Sequence, residues 1–418
     1  SRLAPELPVA TLEDVMAKLW QVGSGLHPLV EAYTIGEDYR IDGELMLPYD
    51  ILASKAHASG LQSIGVLTEE ELKTLHKALD EIDALWKEGN FKVTVEQEDG
   101  HTAIEQYITQ KYGEVGKKIH TGRSRNDQSV TMIRLFAKDK LREVQAEAQK
   151  LSAALKSKSA TNSKVPMPGY THMQKAMPAT VGMWLDSFAC GFQDACGLLD
   201  AAHALLDQNP LGSAAGFGIN NLALNRTLTA EKMGFQRVQE NPMYCGFSRG
   251  LFENAALQAM GHVMVICSRF AVDMMMFTQQ ETSFFSLSDA FVTGSSIMPQ
   301  KKNYDLFEIM RANGRVFNSL QMQVQQIITG LGSGYHRDLQ ITKKAFADAS
   351  GICLATLKLL SEAIPQLQVH EERLKSAMTE ELFVTDEVYR RVANGEAFRE
   401  AYATVKTEFM SRKRKELA

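Results

Sequence analysis

An all-α fold, an elongated central bundle of long helices flanked by two smaller helical domains, is predicted for this 418-residue chain by three observations. Apolar residues recur at helical spacing over stretches far beyond the ~12-residue average helix. Alternating β-type segments are nearly absent. The interruptions between the long runs are short and dense in Gly, Ser, Asn, His and Arg. The expected divisions are an N-terminal helical domain over 1–113, the long-helix bundle over 114–355 and a small C-terminal helical domain over 356–418.

Each element has its own local warrant. Thr68 followed by Glu71 is a capping-box start, Leu72, Leu75, Leu79, Ile82 and Trp86 follow at helical spacing, and Gly89-Asn90 stops the run. From Asp127 to Ala160 there is neither proline nor glycine, and Val130, Ile133, Leu135, Leu141, Val144, Leu151 and Leu155 form a stripe. That predicts one very long helix. Pro178 sits where a helix start welcomes proline, and the run to Gln208 is apolar almost all round, as in a helix buried in a bundle. A third run extends from about Ser248 to Phe284 and a fourth from Asp305 to Thr329, past Gly314. Met260, Met264, Met274, Met275 and Met276 read as core or subunit-interface packing. After about Ala355 the helices shorten, and Arg412 to Lys415 reads as a solvated basic run.

Composition narrows the partners. With 45 basic and 50 acidic residues, net charge -5, nothing recommends nucleic acid or an acidic membrane, and a small molecule is the default ligand. The five cysteines form no CxxC pair and read as buried free thiols in a reducing compartment. The N-terminus has no signal-peptide core, and no window reaches the ~18 uninterrupted apolar residues of a membrane span. A soluble, cytosolic protein is the expectation.

Helical periodicity fails in four places, and those breaks are where chemistry would sit. The first is Glu98-Asp99-Gly100-His101, ahead of a helix over Thr102–Tyr112, where Asp99 also suits a plain N-cap. The second, His120 to Gln128 (HTGRSRNDQ), leads into the long helix. Two arginines, a serine and an asparagine at a helix N-terminus form a receptor for a carboxylate or phosphate, or else a structural salt-bridge set. The third is Gly169 to Gln174 (GYTHMQ), where His172 lies off any regular helix and could carry a proton near neutral pH. The fourth is the loop holding Gly294 to Asn303, GSSIMPQKKN, too long for a plain connector. Its hydroxyls, lysines and amide suit removal of a weakly acidic proton beside a carboxylate, since the resulting carbanion needs preorganised positive charge and donors. A serine can be the base only if its alkoxide is stabilised by the same groups.

Together the breaks resemble the fumarase/aspartase superfamily, whose signature GSSxMPxKxN is matched in full by Gly294–Asn303. Within it the chain looks like the argininosuccinate lyase branch, through HTGRSRNDQ, GYTHMQ and SGYHRDLQ at Ser333–Gln340. The resemblance implies a fumarase/aspartase-like fold, fumarate release by C–N cleavage and no metal or organic cofactor. It implies Ser295 as general base, Lys301 and Asn303 as stabilisers of the carbanion-like carboxylate, and His172 with Glu308 in proton transfer. Ser124, Arg125, Asn126 and Thr171 would grip carboxylates, Tyr335, Gln340 and Lys343 would add contacts, and Asp99 and His101 match another active-site region. A homotetramer with sites shared between subunits is also implied, with no nucleic-acid or membrane partner. Two departures stand out. Tyr304 replaces the proline that usually follows the signature, and Leu19 to Ser24 replaces an N-terminal Gly-Gly-Arg-Phe element. The rival readings are a superfamily lyase acting on adenylosuccinate or a substituted aspartate, and an inactive crystallin-like structural protein.

Overall fold

The computed structural model of the protein describes residues 27–416, so Leu19 to Ser24 falls outside the described residues. Helices α1 (Pro28–Ile35) and α2 (Asp38–Ile41) lead through a π-type turn, Asp42–Met46, into α3 (Leu47–Ser63). α4 (Glu69–Lys87) starts on the expected capping box: Thr68 Oγ1 accepts from the Glu71 N–H at 3.2 Å, and the Glu71 carboxylate accepts from the Thr68 N–H at 2.9 Å. α5 (Gly100–Tyr112) is capped by Asp99, which accepts from the Thr102 N–H at 3.0 Å. α3, α4 and α5 share a core of Leu47, Ile51, Leu61, Leu75, Leu79, Ile82, Ile104 and Ile108.

α6 (Arg125–Thr161) has 37 residues and, at 1.5 Å rise per residue, spans about 55 Å. It ends in a hairpin, β1 (Pro166–Thr171) with β2 (Gln174–Thr180), which feeds α7 (Val181–Leu206) back along α6. Pro178 therefore does not open the helix. It pairs with Pro168 across the hairpin, and Thr180 caps α7 by accepting from the Met183 N–H at 3.0 Å. A two-stranded ribbon leaves an outer edge on each strand where a missing N–H breaks no ladder, so proline fits both places and local sequence does not separate them.

Short segments follow: β3 (Gln208–Asn209) lies parallel to β4 (Arg237–Val238), with α8 (Arg226–Met233) between them and α9 (Pro242–Phe247) after. α10 (Leu251–Phe277) and α11 (Asp305–Ile328) then pack antiparallel, with Phe270 meeting Phe307 at 6.3 Å near one end and Gln321 donating to Asn254 at 3.3 Å toward the other. Gly314 lets them approach, because a Cβ there would lie 3.2 Å from that of Ser268. The third apolar run thus ends at Phe277; Phe284 and Phe285 fold back onto Phe277, and β5 (Phe285–Ser286) pairs with β6 (Gln368–Val369). α12 (Thr342–Ala363) completes the bundle.

One continuous core joins α6, α7, α10, α11 and α12 through Met132, Phe136, Phe192, Phe270, Phe317 and Phe346. Met260, Met264 and Met274 are buried in it, and Met275 and Met276 pack at its edge. α10 is long and apolar enough to cross a membrane by length and composition, yet half of that stretch is buried in this bundle. Four cysteines are buried as expected; Cys190 is exposed on the outer face of α7, and all five are free. The chain closes with α13 (Glu371–Ser376), α14 (Val384–Ala393) and α15 (Phe398–Glu416). The terminal basic run is not simply solvated, because Arg412 pairs with Glu380 at 2.6 Å and Lys413 with Glu381 at 2.7 Å.

Candidate active site

The candidate site gathers largely at helix ends. Where α6 and α10 begin and α11 ends, a cleft of about 170 Å³ is lined by His101, Arg125, Asn126, Arg249, Tyr335, Gln340 and Lys343, with Asp38, Asp42, Asp50, Glu98 and Asp99 among them. Ser124 sits beside it as the N-cap of α6; its Oγ accepts from the Asn126 N–H at 3.2 Å. Asp127 fastens this turn, its carboxylate accepting from the N–H groups of Ser124 at 2.9 Å and of Gly212 and Ala214 at 3.0 Å. The Arg125 guanidinium is held 3.2 Å from Glu98 and 3.1 Å from Asp99 and donates to Thr102 Oγ1 at 3.0 Å. Lys343 is buried, with its ammonium 2.7 Å from Asp38 and 2.6 Å from Asp42. Gln340 donates to the carbonyls of Thr34 and Ile35 at 2.9 and 3.2 Å, which ties this loop to the end of α1.

His101 is fixed from both sides. Its ring stacks on His120 with centroids 3.4 Å apart, and its Nδ1 faces the side-chain carbonyl of Gln128, whose amide donates to Asp50. That orientation of Gln128 places the proton on His101 Nδ1 and leaves Nε2 as an acceptor. Burial, then the Arg123 charge, holds the His101 imidazole well below its ordinary range and therefore neutral. Burial likewise pushes Asp50 up to about 6, against the opposing pull of Arg123. His101, Glu105 and His120 bring three potential metal-ligand atoms within 4.8 Å of one another. Both His120 nitrogens are already engaged, Nε2 donating to the His101 carbonyl at 2.9 Å and Nδ1 accepting from Arg123 at 2.6 Å, so a cation there would face a guanidinium.

The remaining sequence-predicted residues lie at the other end of the bundle. His172 and Met173 occupy the tip of the β1–β2 hairpin with φ of 52° and 61°, and Thr171 pairs with Gln174 across them. Two successive left-handed residues make a type I′ turn, which normally calls for Asn or Gly. Side chains other than glycine held in that region are backbone strain that points toward a function. The signature loop is closed by a two-way bridge, Thr293 N–H to the Asn303 carbonyl at 3.0 Å and Asn303 N–H to the Thr293 carbonyl at 2.8 Å. Inside it, Ser295 Oγ accepts from the N–H of Met298 at 3.1 Å and of Ile297 at 3.4 Å. Lys302 pairs with Asp289 at 2.6 Å, whereas Lys301 is exposed with no ion-pair partner among the described residues. Asn303 Nδ2 donates to the Gly294 carbonyl at 3.3 Å, Tyr304 packs on Phe307, and Glu308 is exposed on the first turn of α11. No bond joins His172 to Glu308 within the chain among the described residues. α10 alone, 27 residues, separates the two ends by about 40 Å.

Sequence reading passed over Asp38, Asp42, Asp50 and Arg249. Each lies in or beside an ordinary helical run outside the four breaks, and only tertiary burial marks it.

A sequence profile described as lyase matches residues 30–317. The argininosuccinate lyase of Sorangium cellulosum is 42% identical over 391 residues, 94% of this chain and 90% of its own. That of Stenotrophomonas maltophilia is 40% identical over 385 residues, 92% and 89% of the two chains. Among solved structures, EDDS lyase in complex with formate superposes with a TM-score of 0.77 at 24% identity, covering 92% of this chain and 76% of its own. Class II fumarase from Schistosoma mansoni gives 0.75 at 15% identity over 93% of each chain. These two likenesses concern the fold alone.

Proposed function

The chain belongs to the argininosuccinate lyase family, and on that premise we propose that it splits argininosuccinate into arginine and fumarate. Ser295 Oγ removes a proton from the succinyl carbon next to a carboxylate. The negative charge spreads onto that carboxylate, opposite Lys301 and Asn303. The neighbouring C–N bond then breaks, its electrons leave with the guanidino nitrogen, and that nitrogen takes up a proton to become arginine. His172 and Glu308 serve proton transfer, and Ser124, Arg125, Asn126 and Thr171 hold succinyl carboxylates, while His101, Tyr335, Gln340 and Lys343 line the far side of the substrate.

The observation that carries this reading is the setting of Ser295. An alkoxide is a poor species in water, and the backbone donor of Met298 at 3.1 Å, with Lys301 on the same loop and without an ion-pair partner among the described residues, is the kind of arrangement that lowers its cost. The distance between the two ends of the bundle supports a site assembled from several copies, since no single chain can bring Ser295 and Arg125 to one substrate. Exposed apolar pairs seven residues apart, Leu198 and Leu205, Val265 and Val272, and Ile309 and Val316, give α7, α10 and α11 seams for helix-to-helix association into a homotetramer.

The test is fumarate release, followed by its ultraviolet absorbance, from argininosuccinate, adenylosuccinate and aspartate in turn. Fumarate from argininosuccinate alone is the expected result. Release from another substrate only would move the chain to a different C–N lyase activity, and none from any would leave a structural role.

A further inference from the structure

The cleft's cations are not equivalent. Arg125 is held by Glu98 and Asp99, and Lys343 by Asp38 and Asp42. Arg249 is 3% exposed, yet its Nε is buried without an acceptor and its guanidinium makes no hydrogen bond or ion pair with any described residue. Its close partner among the described residues is the Tyr335 ring, 5.4 Å from the guanidinium carbon, which is attractive but accepts no N–H bond in the guanidinium plane. Glu253, one turn along α10, feels Arg249 less than it feels Arg134, and one of its oxygens accepts from the Gly250 N–H at 2.5 Å. Buried arginines are ordinarily satisfied by carboxylates in a bidentate fork. Here the fork is empty and borders the cleft.

We propose that Arg249 receives the α-carboxylate of the arginine half of the substrate, and so selects an amino-acid end over a simple amine. This rests on the activity proposed above. The assignment to that end follows from placement. In the activity proposed above, the succinyl carboxylates are met at the N-terminus of α6 by Ser124, Arg125 and Asn126, whereas Arg249 lies against Tyr335 and close enough to Lys343 to perturb it, beside the residues that line the far side of the substrate. A carboxylate arriving there supplies the acceptors that the chain withholds.

The experiment titrates full-length protein with L-arginine, with agmatine, which is arginine lacking its carboxylate, and with fumarate, by calorimetry. Wild type should prefer arginine to agmatine by ~30-fold, the worth of a charge-assisted pair. Arg249→Gln should reduce that ratio to about threefold while fumarate affinity stays the same, and Arg249→Lys, which keeps charge but loses the fork, should fall between. A ratio unchanged in either variant overturns the proposal. So does an equal loss of arginine, agmatine and fumarate, or dissociation of the oligomer seen by light scattering, since either makes Arg249 a structural partner of another subunit. Should the glutamine variant not fold, the lysine variant decides alone. Wild type that releases fumarate from argininosuccinate but does not distinguish arginine from agmatine sinks this inference and spares the activity; wild type that does neither sinks both.

Discussion

His57 lies beneath the candidate site, its Nε2–H donating to the Thr121 carbonyl at 2.8 Å, and burial followed by the Arg123 charge pushes its pKa down to about 3. The unfolded chain takes up this proton near 6.5, so the neutral ring contributes stability that is fully present above that pH. The contribution is lost as pH falls from 6.5 toward 3, at about 1.4 kcal/mol per pH unit. Glutamine can keep the bond to Thr121 without titrating. The stability advantage of wild type over His57→Gln should therefore shrink by about 0.7 kcal/mol from pH 7 to 6 and by about 1.2 kcal/mol from pH 6 to 5 in urea unfolding curves. Parallel pH dependence in the two proteins would show that His57 is not held neutral. At Ser295 the expectation concerns chemistry instead: Ser295→Ala should abolish fumarate release while substrate binding stays nearly intact, because the proposed base is removed and the grip is not. An active mutant would pass the role of base to His172.

At the scale of elements, the hairpin and the signature loop deliver side chains by opposite means. The loop is pinned at its mouth by the Thr293–Asn303 bridge and open inside, whereas the hairpin tip is fixed by its turn geometry. Asparagine tolerates the left-handed region as well as histidine does. His172→Asn should thus melt within a few degrees of wild type and yet release fumarate at least ~100-fold more slowly, the usual scale of a lost acid–base group. A variant that kept full activity would make the turn itself, rather than the imidazole, the reason for the strain. How much of this was legible in sequence depended on how local the cause is. The caps of α4 and α5 and the long uninterrupted α6 could be read directly, because a cap is a few adjacent residues and a helix is a period. The hairpin could not, since Pro178 satisfies a helix start and a ribbon edge alike. Lys343 appeared as a substrate contact, but its two carboxylate neighbours lie at the other end of the chain. Arg249 gave no sign at all, because an unpaired buried charge is defined by what is absent around it.

For the whole molecule, the two ends of the bundle make a genetic prediction. Arg125→Gln damages the cleft end and Ser295→Ala the loop end, so each pure variant should be inactive. If sites combine ends from different subunits, oligomers formed by denaturing and refolding a 1:1 mixture should regain about a quarter of wild-type activity, since a random pairing is intact at both ends one time in four. An inactive mixture whose subunits have demonstrably exchanged would mean that each chain builds its own site.

The ion triad at Lys343 also has a meaning in time. Its ammonium meets Asp42, 301 positions earlier in the chain, and those two aspartates pass into the interior with no other cation bonded to them among the described residues. During synthesis the segment from Pro28 to Ser63 emerges long before α12 and must keep Asp38 and Asp42 wet, because carboxylates without a counter-charge resist burial. Only when the ribosome has released the beginning of α12 can that segment dock. The cleft is therefore completed only once α12 has been made, and a nascent chain stalled before Lys343 would carry a complete α6 and an unfinished cleft.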